Sequence, residues 1–357
     1  MMMTETDNIP TFKLKKHEKE EFLLDKLNHL TEFHLENCQE YNSLMDKFKT
    51  ISVKAKRLED VPFLPVRLFK YIDLLSIPEN KVIKTMVSSG TSGKEVSHIF
   101  LDKKTSALQI KVLSKIVSDF IGSKRLPMLV IDSRSIISNR KKFSARTAGV
   151  LGFSMFGHDV EFALNENMSI NFERVKKFLD KYKNKNILIF GFTFIIWKHF
   201  INVLENLNLK LNISNGIIIH GGGWKQMKLE SISNEEYKKY ILNTLNVSRV
   251  HNYYGMVEQT GSIYMECEYG FLHTSSFSDI IIRDHAKYKS QNIGSRGLIQ
   301  LLSMIPKSYP GHSLLSEDIG EIHGVDDCKC GRKGNYFKVY GRMTNAESRG
   351  CSDTYTK

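Results

Sequence analysis

The chain has 357 residues, 41% of them hydrophobic, and a formal net charge of +12. That length can bury the core of one large domain or two. The longest nearly continuous apolar run, Ile187 to Trp197, falls short of the roughly 20 residues a membrane-spanning helix needs.

The polar start, Met1 to Lys16, lacks the apolar centre of a signal peptide, so a cytoplasmic protein without a membrane span is expected. The lysines are dispersed among Glu and Asn instead of forming a basic block interleaved with aromatics. This argues against nucleic acid as partner and for anionic small-molecule substrates. Five cysteines, at 38, 267, 328, 330 and 351, are too few and too uneven for a disulfide framework.

In chain order, residues 1 to 12 read as a loose tail. From Lys13 to Met45 apolar or half-apolar residues recur at Leu23, Leu27, Leu30, His34, Cys38, Tyr41 and Met45. This spacing predicts an amphipathic helix with room for one break. His34 and Cys38 fall on its apolar stripe and are expected to fill core rather than bind a ligand. Residues 1–59 are therefore expected as an N-terminal helical segment, ahead of a main domain over 60–357.

Asp60-Val61-Pro62-Phe63-Leu64-Pro65 must be extended, because each proline disfavours helix before it. Arg67 to Leu75 reads as a short apolar element. It leads to Met86-Val87-Ser88-Ser89-Gly90-Thr91-Ser92-Gly93-Lys94. In that stretch Gly90 and Gly93 let backbone N–H groups approach an anion, Ser88, Ser89, Thr91 and Ser92 add donors, and Lys94 adds a mobile positive charge. The stretch is a phosphate cradle by its chemistry. It is not the common P-loop, which separates its first glycine from Gly-Lys by four residues. Beyond it, Val96 to Leu101 predicts a strand. Thr105 is expected to cap a helix presenting Leu108, Val112, Ile116 and Phe120 on one face.

Short apolar strands at 128–131, 187–190 and 217–219 then alternate with helical stretches near 171–183, 193–207 and 233–245. The alternation predicts an α/β fold with a largely parallel, buried sheet. Such sheets bind ligands beyond the carboxyl ends of their strands, where His220-Gly221-Gly222-Gly223-Trp224 falls. After Tyr253 glycines become frequent and the predicted strands, 298–303, 319–322 and 336–340, are short. A small β-rich subdomain is expected there.

Three further motifs carry chemistry. Tyr253-Tyr254-Gly255-Met256-Val257-Glu258 offers aromatic faces to a base and a carboxylate to Mg2+. Ser316-Glu317-Asp318-Ile319-Gly320 is expected to set Asp318 in a turn, as an acceptor for ribose hydroxyls. Tyr340-Gly341-Arg342 places a guanidinium after a strand, suited to a phosphate or ribose oxygen.

Together and in this order these motifs resemble the adenylate-forming enzyme superfamily. Within it the chain resembles the acyl-protein synthetases of bacterial luminescence fatty acid reductase complexes, whose wider family includes phenylacetate–CoA ligase-like proteins. The resemblance runs from Asp60-Val61-Pro62 through Gly221-Gly222-Gly223-Trp224-Lys225 to Arg349-Gly350-Cys351. It implies ATP- and Mg2+-dependent activation of a carboxylic acid, in all expectation a fatty acid, to an acyl-adenylate. It implies that Ser88, Thr91, Ser92 and Lys94 hold phosphates and that Gly221 to Gly223 and Tyr254 frame adenine. Glu258 would bind magnesium, and Asp318 and Arg342 would contact ribose.

Typical members of the superfamily continue well past the arginine, with a C-terminal subdomain carrying a catalytic lysine; here the sequence stops at Lys357. The luminescence synthetases are similarly short and are thought to carry the acyl group on a cysteine near the C-terminus, a place that Cys351 matches. A thiolate is a suitable nucleophile for this transfer, and Arg349 would favour its ionised form. An acyl-accepting partner protein or thiol is implied. Rival readings are a ligase that acylates coenzyme A or a carrier protein, and a non-catalytic nucleotide-binding subunit. Cys267, His273, Cys328 and Cys330 supply three thiols and one imidazole, a set suited to a structural zinc. Their pattern resembles that of some phenylacetate–CoA ligase-like proteins.

Overall fold

The computed structural model describes residues 6–48, 54–88, 96–138, 145–224 and 231–343. In chain order the main helices are α1 (Lys16–Asn37), α2 (Gln39–Lys47), α3 (Lys103–Ile121), α4 (Ala145–Ser154) and α5 (Phe172–Tyr182). They are followed by α6, which spans 193–206 with a π turn at Trp197–Ile201, and by α7 (Asn234–Leu245). The first eight strands are β1 (Leu64–Pro65), β2 (Lys84–Val87), β3 (His98–Leu101), β4 (Leu126–Ser133), β5 (Gly157–Leu164), β6 (Ile187–Phe192), β7 (Gly216–Gly221) and β8 (Arg249–Tyr254). The last six are β9 (Tyr264–Glu266), β10 (Leu272–His273), β11 (Ser278–Arg283), β12 (Arg296–Ser303), β13 (Ser313–Val325) and β14 (Asn335–Arg342). No helix among the described residues is long and apolar enough to cross a membrane.

Contacts divide the chain into two units. The first comprises 1–117, 255–265 and 271–347, and the second 118–254, 266–270 and 348–357. The segment before residue 60 is counted within the first unit rather than apart from it.

The second unit is the parallel sheet expected from the alternation. Its order is β8-β7-β6-β4-β5, with every neighbouring pair parallel. β6 and β7 are buried along their whole length, which is why they read as unbroken apolar runs instead of alternating. The helices start where polar caps permit. Asn171 accepts from the Arg174 amide, and Ser233 and Glu236 form a reciprocal capping box at α7. Asn246 then ends α7 in the left-handed region at φ 56°.

The first unit holds the β-rich part. β11, β12, β13, β14 and β10 run consecutively as neighbours, with β9 beyond β10, and β1 pairs parallel to β13. The predicted N-terminal helix is broken once, at Cys38, whose backbone is extended between α1 and α2. Cys38 and His34 are both buried. Cys38, Tyr41 and Met45 pack with Leu64, Phe69, Ile99 and Leu314 in one apolar cluster, so the helical segment is part of this unit's core.

Two expectations fail here. The start of the chain is not loose over its described part. The Lys115 ammonium donates to the carbonyls of Thr6, Asp7 and Ile9 at 2.6, 2.9 and 3.0 Å. Ser276 donates to Pro10 and Thr11, and Phe12 is buried. A polar segment offers no apolar signal, so docking through its carbonyls was invisible in sequence. The cap of α3 is Asp102, whose carboxylate accepts from the Thr105 amide at 2.7 Å; Thr105 is the third residue of the helix.

Candidate active site

The cradle loop joins β2 to β3, an antiparallel pair in register from Lys84↔Leu101 to Val87↔His98. Ser88 and Ser97 close its neck: the Ser88 amide donates to the Ser97 carbonyl at 3.1 Å, and the Ser97 amide donates to Ser88 Oγ at 2.8 Å. Ser89, Gly90, Thr91, Ser92, Gly93 and Lys94 lie outside the described residues, as do Lys225, Arg349 and Cys351.

Glu258 sits in a short 3-10 turn, Val257–Gln259, only 7% exposed. The turn is fastened from below. The Gln259 amide donates to the carbonyls of Leu301 and Gly311, and the Tyr309 hydroxyl donates to the Glu258 carbonyl at 2.9 Å. Burial pushes the Glu258 carboxyl up from its ordinary range, opposed by the Ser97 hydroxyl and by the charges of Lys70 and Arg342. The expected metal carboxylate therefore lies beside the neck of the phosphate loop and within the field of the expected ribose arginine. A buried carboxylate with rigid support and a raised pKa is the kind of group a divalent cation would recruit.

Asp318 is not in a turn. It lies inside β13, directly opposite Arg342, the last residue of β14, with Oδ1 3.5 Å from Nε. Five-residue patterns rich in Ser, Glu and Gly suggest turns, but here the sheet extends through them, with Gly320, Ile322 and Gly324 buried at alternate positions. Lys70 and Ser97, which oppose the upward shift of the Glu258 carboxyl, were not singled out in the sequence. Neither stands in a recognisable motif.

In the second unit, Gly221 is paired with Tyr253 across β7 and β8, at the carboxyl ends of both strands. A Cβ at Gly221 would stand 2.5 Å from the Tyr253 ring, and Gly222 has φ +86° with Phe192 close by. Side chains are excluded here by both space and backbone conformation. Gly221, Gly222, Gly223 and Tyr254 thus share one sheet edge of the kind that receives ligands in open α/β sheets. His220, missed as a site residue although it opens this run, is fully buried. The Thr193 hydroxyl donates to the Gly221 carbonyl at 3.1 Å, so it accepts from His220 Nδ1 at 2.9 Å. His220 Nε2 is left without a partner among the described residues, and burial lowers the imidazole pKa to about 3.

The four expected zinc ligands converge. Cys267 follows β9, His273 ends β10, and Cys328 and Cys330 lie in the turn between β13 and β14. Pairing of β10 with β14 sets His273 opposite Tyr336. The ligand atoms of all four lie within 4.8 Å of one another, with His273 Nε2 3.4 Å from Cys330 Sγ. Tetrahedral ligands at roughly 2.1–2.3 Å from zinc stand about 3.4–3.8 Å apart, so a small inward movement would close the set, and the donor set is one of the common structural ones. His273 Nδ1 is buried without a partner among the described residues.

The parallel α/β sheet ending in a glycine run and the β-rich unit have the fold of adenylate-forming ligases. Solved structures agree on the fold. A 2-hydroxyisobutyryl-CoA ligase in an open conformation with 2-HIB-AMP and CoA superposes with a TM-score of 0.71 at 16% identity, over 95% of this chain and 78% of that one. A long-chain-fatty-acid-CoA ligase from Archaeoglobus fulgidus gives 0.50 at 15% identity, over 74% and 52%. The chain belongs to the family described as acyl-protein synthetase, LuxE, whose model matches residues 8–357. Among its relatives are the long-chain-fatty-acid–luciferin-component ligases of Aliivibrio fischeri, 22% identical over 90% of this chain and 84% of that protein, and of Vibrio harveyi, 20% identical over the same shares. It is an ATP-dependent acid–thiol ligase that activates an acyl group and transfers it to a thiol.

Proposed function

We propose that this protein activates a long-chain fatty acid and carries the product as a thioester on Cys351, from which a partner protein or thiol takes the acyl group. The acid's carboxylate attacks the α-phosphorus of ATP, and pyrophosphate leaves with the bond to the β-phosphate. The Cys351 thiolate then attacks the acyl carbonyl. The bond to the phosphate oxygen breaks, AMP departs with the electron pair, and the thiol proton is lost to solvent. The observation that carries the reading is the pairing of Asp318 with Arg342 across β13 and β14, in the same unit as the buried Glu258 carboxyl.

In this reading Ser88, Ser89, Gly90, Thr91, Ser92, Gly93 and Lys94 cradle the phosphates, where donors aimed at developing charge lower the barrier. Gly221 to Gly223 and Tyr254 frame adenine, and Asp318 and Arg342 hold ribose. Glu258 would hold Mg2+, which neutralises phosphate charge when bound. Cys267, His273, Cys328 and Cys330 would hold a zinc with no open position and hence a purely structural role. The name of the Aliivibrio fischeri relative supports a long-chain acid and an acyl-accepting component.

ATP–pyrophosphate exchange across a panel of carboxylic acids tests the first half-reaction. Mass spectrometry after incubation with ATP and the best acid tests the second. Acid-dependent exchange with an adduct on Cys351 is expected. No exchange with any acid rejects the activity, and consumption of added coenzyme A without an adduct moves the acceptor to a small thiol.

A further inference from the structure

In the parallel sheet of the second unit, β6 and β7 run in register as far as Phe192↔Gly221. There β6 gives way to α6, and Thr193 is the first residue of the helix. A threonine at a helix start ordinarily turns its hydroxyl to the helix's own amides. Here the Thr193 hydroxyl crosses instead to the neighbouring strand. It donates to the Gly221 carbonyl at 3.1 Å and accepts from His220 Nδ1 at 2.9 Å. Both side chains are buried, Thr193 at 5% and His220 at 2% exposed.

The carbonyl that Thr193 grips belongs to the first peptide of the glycine run. A trans peptide is planar, with its C=O and N–H on opposite sides. Fixing the Gly221 oxygen therefore also fixes the direction of the Gly222 amide. The hold matters because glycine has the widest choice of backbone angles, and Gly222 and Gly223 take φ of +86° and +59°. The pairing of β7 with β8 ends at Gly221↔Tyr253, so the last peptide of the ladder is also the hinge into the run. His220 secures the grip from behind. Burial lowers its imidazole pKa to about 3, so the ring is a neutral Nδ1–H donor near pH 7 and keeps the hydroxyl in the rotamer that serves the carbonyl.

We infer that Thr193, oriented by His220, is a positioning residue for recognition of the nucleotide base: it holds the Gly221 peptide, and through it the glycine run, in the geometry that frames adenine. This role rests on the reading of Gly221 to Gly223 as the adenine frame. Both side chains act through the backbone of the run rather than by touching the nucleotide.

The test is binding of ATP and of inorganic triphosphate, each with Mg2+, to the full-length protein by titration calorimetry. Thr193→Val keeps the shape of the side chain and removes the hydroxyl, and Thr193→Ser keeps the hydroxyl. The valine variant is expected to raise the Kd for ATP about five- to thirtyfold, the ratio that one lost hydrogen bond implies. Its affinity for inorganic triphosphate, which has no base, should match wild type, and the serine variant should bind ATP as wild type does. Gly222→Ala, which puts a Cβ 2.8 Å from the Phe192 ring at φ +86°, tells the two readings apart. If it weakens ATP binding and Thr193→Val does not, the run frames the base without Thr193 and the positioning role is rejected. If neither variant alters ATP binding, or the wild type binds none, the adenine frame itself fails and the positioning role falls with it. Equal losses for ATP and triphosphate in Thr193→Val, with a lowered Tm that serine does not restore, make Thr193 a structural residue and overturn the role as well.

Discussion

Asp318 and Arg342 face each other in register across β13 and β14, Oδ1 3.5 Å from Nε, so carboxylate and guanidinium are aligned by the sheet. Both side chains remain partly accessible, and two donors and acceptors held at fixed spacing suit the vicinal hydroxyls of a ribose. Asp318→Ala is expected to raise the KM for ATP in pyrophosphate exchange by about tenfold to a hundredfold. That range matches about 1.5–3 kcal/mol for hydrogen bonds to a charged group. An unaltered KM rejects the ribose contact.

Glu258→Gln keeps the volume of the side chain and its hydrogen-bonding shape while removing the charge. Because burial already favours the neutral carboxyl, the fold should tolerate the amide, with thermal unfolding close to wild type. Exchange should fall by about a hundredfold, the scale on which a positioned electrostatic group acts. A melted variant would mean that Glu258 is structural.

Metal analysis of protein purified without chelators should find about one zinc per chain, bound by three thiols and one imidazole. Cys328→Ser should lower zinc content and the Tm together, since the binding free energy of a structural metal is part of the folding free energy. Stoichiometric zinc in that variant, or none in the wild type, rejects the site.

Lys19 and Asp279 form a buried ion pair at 3.0 Å that joins α1 to β11. Burial lowers the Lys19 ammonium pKa, opposed chiefly by Asp279. Asn335 and the Ile280 amide also donate to Asp279 Oδ1. Lys19→Met leaves the carboxylate buried without its cation and should cost about 3–5 kcal/mol in denaturant unfolding. Lys19→Met with Asp279→Asn should recover part of that loss; equal losses in both variants would show that the charge is not the cause.

His34 and His312 stack at 5.0 Å in the first unit's core. His34 donates through Nε2 to the Pro306 carbonyl at 3.2 Å and accepts at Nδ1 from Ser76 at 2.8 Å. Thr31 donates to the Leu27 carbonyl, so it accepts from His312 Nε2 at 3.0 Å. Burial, with His312 Nδ1 lacking a partner among the described residues, keeps both rings neutral near pH 7. Burial lowers the His312 pKa to about 3 and holds that of His34 well below its ordinary value. The unfolded chain takes up these protons near pH 6.5 and the folded one does not. Stability is full above that pH and falls as pH drops from about 6.5 towards 3, by up to about 1.4 kcal/mol per unit for each ring. His312→Gln should flatten the fall of Tm between pH 7 and 5; an identical slope rejects the assignment.

The parallel sheet was legible because β6 and β7 are buried on both faces and so are written as uninterrupted apolar runs. The glycine run was legible because Gly222 needs a backbone conformation that other residues avoid. Asp318 was misplaced in a turn, because Ser, Glu and Gly around it carry the local signature of turns. Its strand is dictated by β12 and β14 on either side.

Local chemistry in the sequence alone thus determined the α/β class, an N-terminal helical stretch with room for one break, the motifs and the candidate zinc donor set, since period, turn residues and ligand types are properties of short stretches. Only the tertiary structure decided that Asp318 pairs with Arg342 across the sheet, that Thr6 to Phe12 dock through their carbonyls, and that a cavity opens beside Met343. Those facts depend on long-range pairing, where burial and the satisfaction of backbone groups, rather than the preferences of neighbouring residues, select the partner.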